Sequence, residues 1–79
     1  MESQPKIELR PEVQWFAEQM ELALRENDHK TGWRDEHQSW LYGELLRNAG
    51  KISEDRGIVR AVNTSNFAMM IADNKRNLR

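Results

Sequence analysis

The chain contains no cysteine, so no disulfide can staple it and no thiolate zinc site can form. It has two prolines and four glycines among 79 residues, too few for a linker-rich or low-complexity chain. No stretch approaches the roughly 18 consecutive apolar residues of a membrane span. The opening M-E-S-Q-P-K is acidic and polar, unlike the basic and apolar start of a secretory signal. A cytoplasmic protein is therefore expected. Lys and Arg number 12 and Asp and Glu 13, for a formal net charge of −1. Global charge gives no reason to expect DNA or RNA as a partner.

Against these absences stand three Trp, two Phe and four Met. A single domain of this size draws roughly 3–5 kcal/mol from its own core. Part of the apolar load is therefore expected between subunits of a homo-oligomer.

The periodicity is helical throughout. Residues 1–10 read as an arm. Pro11 suits a first helical turn, where its missing N–H is not needed. Val13, Phe16, Met20 and Leu24 then recur at spacings of 3, 4 and 4, an apolar stripe along one helix face. Trp15 and Leu22 lie off that stripe, on a second face. This helix is expected to end between Glu26 and Lys30. The polar stretch N-D-H-K-T-G-W, residues 27–33, follows as a loop. A second helix is expected from about Asp35 to Gly50, with Trp40, Leu41, Leu45, Leu46 and Ala49 as its apolar positions. Residues 51–57 form a short linker, within which Ser53 can cap a turn. A third helix is expected over residues 58–74, carrying Ile58, Val62, Phe67, Met69 and Met70. Residues 75–79, K-R-N-L-R, make a basic end that suits the helix C-terminal dipole. The fold class is all-α, with three main helices spanning residues 11–74 and no strand of convincing length.

Two stretches carry a family resemblance. Residues 60–74 read R-A-V-N-T-S-N-F-A-M-M-I-A-D-N, and residues 15–33 read W-F-A-E-Q-M-E-L-A-L-R-E-N-D-H-K-T-G-W. The chain resembles the small, phage-type members of the MazG-like all-α NTP pyrophosphohydrolases over residues 13–74. That resemblance implies a helical bundle completed as a dimer or tetramer, with a nucleotide between helices. The family holds Mg²⁺ on an E-E-x-x-E cluster of the middle helix and an E-x-x-D pair of the next. Laid over this chain, the first cluster falls on Arg47, Asn48 and Lys51, the second on Arg60 and Asn63. Each is a base or an amide. The segment between second and third helices is also shorter than in the family.

Mg²⁺ takes oxygen ligands, usually carboxylates together with substrate phosphates, and pyrophosphate hydrolysis relies on that metal. The resemblance therefore implies a scaffold without its metal cofactor. Arg47, Lys51 and Arg60 are expected to converge where acids stand in the family, and to take phosphates directly, Arg as a bidentate fork and Lys as a point charge. Asn63 and Asn66, with Ser65, place polar groups in an otherwise apolar helix and are expected to hydrogen-bond across a helix interface or to a ligand. Asp28 and Lys30 offer an acceptor and a phosphate contact, or belong to a plain helix end and turn. Trp33 and Trp15 either stack on a base or pack in the core. His37 has no second His at ligand spacing.

Three functional readings stay open. In the first, the chain binds and sequesters a nucleotide, a cyclic or ADP-ribose-type signal, without cleaving it, as small phage proteins do to block host immunity. In the second, a helical oligomer presents a surface that inhibits a host protein. In the third, a residual Mg²⁺-dependent pyrophosphohydrolase works through Glu18, Glu21 or Glu44, or through acids from a neighbouring subunit.

Overall fold

A computed structural model describes residues 6–27, 32–54 and 56–77. The fold is all-α. Helix α1 spans Pro11–Glu26, α2 spans Gln38–Ala49 and α3 spans Gly57–Arg76, with a single 3₁₀ turn, Trp33–Asp35, ahead of α2. Among the described residues there is no strand, and no helix is long and apolar enough to cross a membrane.

The start of α1 is the one its sequence predicts. Pro11 occupies the first turn, and the Gln14 N–H donates to the Arg10 carbonyl across 2.9 Å. Its end is set by Asn27, whose side-chain Nδ2 donates to the Ala23 carbonyl at 2.9 Å while its backbone N–H reaches the Leu24 carbonyl. An Asn that captures the last free carbonyls in this way stops a helix. Residues 6–10 are extended and exposed.

The second helix starts three residues later than its sequence suggests. Residues 33–35 turn as 3₁₀ and the chain is extended at Glu36 and His37. The tertiary contacts that hold Trp33, described below, take this segment out of the helix. The third helix runs two residues further than expected, so Lys75 and Arg76 continue α3 rather than forming a separate tail. Both sit in its last turn, where cations are favoured.

Between α2 and α3 the chain makes a tight turn. Lys51, Ile52 and Glu54 donate backbone bonds to the carbonyls of Asn48, Ala49 and Lys51. Arg56 then takes a left-handed conformation, φ 57° and ψ 42°. That conformation costs a side-chain-bearing residue roughly 1–2 kcal/mol. Gly57 follows because a Cβ there would lie 2.9 Å from the Ile52 carbonyl oxygen. Two substitutions are expected to move stability in opposite directions, as chemical denaturation would show. Arg56→Gly relieves strain and gains about 1 kcal/mol. Gly57→Ala loses stability despite the better helix propensity of alanine, because backbone must shift to admit the methyl group. Equal shifts of the same sign would contradict this account of the turn.

Helix α3 is the centre of the structure. It packs against both α1 and α2 and against the 3₁₀ turn, whereas no Cα of α1 comes within 8 Å of one in α2. The described apolar core is small: Leu41, Val62 and Ile71 are buried. No α1 residue is buried. Val13, Trp15 and Leu22 on α1 are about half exposed, and Leu46 on α2 and Ile58 on α3 more so. Trp15 thus lies outside the core of a single chain, its ring 6.0 Å from that of Phe16. The second apolar face expected on α1 is real but uncovered.

Candidate functional site

Two outer helices that meet only through a third leave a space between them. It is a cavity of about 570 Å³, walled by Ala23 and Leu24 of α1, Trp33 and Glu36 of the connecting segment, Leu41, Glu44 and Asn48 of α2, and a stripe of α3. That volume is in the range of small-molecule sites. Trp40 and Phe67 also line it, and their rings meet edge to face with centroids 5.9 Å apart.

Helix α3 contributes Arg60, Asn63, Asn66, Phe67 and Met70 to the wall. Spacings of 3, 3, 1 and 3 keep these side chains on one side of a 3.6-residue helix. Opposite them on α2, Leu41 and Asn48 are seven residues apart and both fully buried. Two turns of helix bring them to the same face.

Asn48 is the hub of this wall. It is 2% exposed. Its Nδ2 donates to the Glu44 carbonyl at 2.8 Å. Its Oδ1 accepts from Arg60 Nη1 at 3.2 Å and from Asn63 Nδ2 at 3.5 Å. Of the positions on which the two family clusters fall, Asn48, Arg60 and Asn63 are therefore joined directly. Asn48 was not expected to bind anything, and the helical period that relates it to Leu41 is the signal that could have singled it out.

The three-cation cluster does not form as expected. Lys51 lies beyond the C-terminus of α2, in the turn. It shares no helix face with Arg47 and is not among the residues lining the cavity. Arg47 does line it, yet its Nη2 is 2.6 Å from Glu44 Oε1 and half of its side chain is exposed. The Arg47 guanidinium holds the Glu44 carboxyl below the usual range, so the two act as one neutral pair. Arg60 differs. It is half-buried, and among the described residues its guanidinium meets one amide, that of Asn48, and no carboxylate. Among the described residues the ionisable lining is balanced, with Arg47 and Arg60 set against Glu36 and Glu44.

Asn66 is 4% exposed. Its Nδ2 donates to the Met20 carbonyl of α1 at 3.2 Å, the cross-helix bond expected of a polar residue here. Its Oδ1 is buried with no hydrogen-bond partner among the described residues. Asp28 and Lys30 lie outside the described residues.

Trp33 neither packs in a sealed core nor stands free. It is half-buried on the cavity wall, and its Nε1–H donates to Asp73 Oδ2 at 3.0 Å. Asp73 is a buried clamp near the end of α3. Its Oδ1 also accepts from Arg76 Nε at 2.8 Å and Asn77 Nδ2 at 3.2 Å, and Arg34 Nε lies 3.6 Å from Oδ2. Asn74 Nδ2 adds bonds to the Trp33 carbonyl and to Gln38 Oε1. These bonds pull residues 33–38 onto α3 and delay the start of α2.

Hydrogen bonding from Arg76 first, and from Trp33 second, holds the Asp73 carboxyl below the ordinary value of 3.8. A carboxyl with a depressed folded-state pKa adds stability that is complete above its unfolded value and is lost as pH falls through the folded one. Acid titration of thermal stability is therefore expected to show a loss beginning near pH 4, and the slope should flatten in Asp73→Asn. An unchanged slope would place the acid-labile group elsewhere.

The donor set among the described residues is a poor match for the Mg²⁺ that members of the resembled family hold. Glu44 is held by Arg47, and the Asn48 oxygen already accepts from a guanidinium, whose charge opposes a cation beside it. Among the described residues, no group of three or more His, Asp or Glu side chains is placed to hold a metal. Glu18 accepts from Gln14 and Glu21 pairs with Arg25, both on the exposed face of α1. Neither lines the cavity.

In comparisons with known proteins, no family model, no curated protein and no solved structure matches the chain.

Proposed function

We propose that the chain binds a nucleotide of low phosphate charge in the cavity between α1 and α2 and holds it without cleaving it. The observation that carries this reading is Arg60. It faces a cavity with aromatic residues in its wall and is held there by the neutral amide of Asn48. A guanidinium placed in this way keeps donors for an anionic oxygen. Trp33, Trp40 and Phe67 supply ring surface for a base.

The balance of charges narrows the ligand. Among the described lining residues, two arginines against two glutamates leave little net attraction for a triphosphate. A phosphodiester, as in a cyclic nucleotide signal, or a monophosphate matches better an Arg60 that has no carboxylate partner among the described residues, and an ADP-ribose-type signal, with two phosphates, lies between these and a triphosphate. The test is calorimetric titration of the purified chain with nucleoside mono- and triphosphates, cyclic oligonucleotides and ADP-ribose derivatives, in Mg²⁺ and in EDTA. Tight binding that survives EDTA, weaker binding of triphosphates and recovery of the ligand intact are expected. Release of pyrophosphate in Mg²⁺ would replace this reading with that of a hydrolase.

A second reading is favoured by a different observation. A core of three described apolar residues beside an α1 with none buried suits a chain whose outer faces are covered by association, with itself or with a host protein. Sedimentation at micromolar concentration separates the cases. A stable monomer that binds nucleotide needs no partner, whereas an oligomer without nucleotide affinity favours a protein target.

A further inference from the structure

We infer that Asn66 reads an exocyclic amine, so that the ligand carries an amino-bearing nucleobase; this rests on the nucleotide reading above. The Asn66 amide has one donor group and one acceptor. The donor is committed to the Met20 carbonyl at 3.2 Å. The acceptor, Oδ1, is buried and has no partner among the described residues, and Asn66 lines the cavity. A buried acceptor left unpaired is costly, and a ligand N–H that reaches it recovers that cost. Turning the amide over does not cure the deficit, because an oxygen would then face the Met20 carbonyl. What the position requires is a donor.

The neighbours say which end of a nucleotide lies here. Arg60 is six residues earlier on the same stripe of α3, about 9 Å along the helix axis. That is comparable with the distance between the phosphate and the far edge of the base in a nucleoside monophosphate. Phe67 adjoins Asn66 in sequence and Met70 lies one turn on, both on the cavity wall. A phosphate on Arg60 therefore places a base edge at Asn66, among apolar side chains. Asn with both groups free reads adenine through a donor and an acceptor together. One Nδ2 hydrogen is engaged by the Met20 carbonyl, and the unpaired Oδ1 calls for a donor, which an exocyclic amine supplies. Adenine, cytosine and guanine share that group, and the amine is the chemistry the site selects.

Three pairs of ligands differ by the amine alone: AMP and purine riboside monophosphate, CMP and 2-pyrimidinone riboside monophosphate, and GMP and IMP. Titration of the full chain with all six is the test. In at least one pair the amino member should bind about 10-fold more tightly, and Asn66→Ala should abolish that preference. If the preferred pair binds equally well with and without its amine, the inference about Asn66 is overturned while nucleotide binding stands. If none of the six binds, the inference about Asn66 falls, and nucleotide binding stands or falls on the titrations with cyclic and ADP-ribose ligands. Because Asn66 also ties α3 to α1, its alanine variant can lose structure; the ligand pairs on the unaltered chain decide the matter alone.

Discussion

Leu41→Ala unfolds the isolated chain. Leu41 has no exposed surface and lies on α2 where that helix meets α3 and the cavity. Removing the larger part of such a side chain costs about 2–5 kcal/mol, since transfer energy is lost and the space left behind collapses poorly. A core of this size supplies roughly 3–5 kcal/mol in total. The two quantities are comparable, so most molecules should be unfolded at neutral pH. Far-UV circular dichroism during a urea titration gives the answer, repeated across protein concentrations. A variant with a cooperative transition near that of the parent would show that the stability resides elsewhere, in subunit contacts. In that event the midpoint would rise with concentration, because association stabilises by mass action.

Arg60→Ala leaves the helices folded and removes most of the nucleotide affinity. A hydrogen bond between charged groups contributes about 1.5–3 kcal/mol when it forms in a sheltered site, or roughly 10–100-fold in Kd. Arg60→Lys should recover part of this, because a lysine retains the charge but not the planar fork. Arg47→Ala is expected to cost less, and for a different reason: it releases Glu44, adding an unbalanced negative charge to the wall. Arg47→Ala combined with Glu44→Ala should therefore bind nearly as the parent does. If Arg47→Ala proved the more damaging single substitution, the anion would sit at the α2 side of the cavity and Arg60 would be structural, a support for Asn48.

Much of the fold is legible in the sequence. Pro11 and the 3-4-4 stripe from Val13 mark α1, and Gly50 and Gly57 bracket the turn before α3. The late start of α2 is not legible. It depends on Trp33 meeting Asp73, 40 residues later, and local pattern carries no trace of so distant a bond. The site divides along the same line. Asn63 and Asn66 can be picked out, with Ser65, as polar groups on an apolar helix and Arg60 by the family resemblance, and Arg60, Asn63 and Asn66 do line one cavity. Lys51 is misplaced because a spacing of four implies a shared face only while the helix lasts, and α2 ends at Ala49. Arg47 looks like a free cation until Glu44, three residues back, is recognised as its partner. The period that relates Asn48 to Leu41 marks its buried face, whereas its bonds to Arg60 and Asn63 and the balancing role of Glu36 and Glu44 emerge only when α2 and α3 are set against each other.

The central position of α3 has a consequence for motion. Because α1 has no fully buried residue and its backbone stays clear of that of α2, it can detach while α2 and α3 stay paired. Its amide protons should exchange with solvent by local opening, well before those of α3, which are limited by global unfolding. The α1 wall of the cavity, Ala23 and Leu24, is thus the yielding one. A ligand bridging both sides would slow exchange most in α1, and that protection would report occupancy even where the ligand gives no signal of its own.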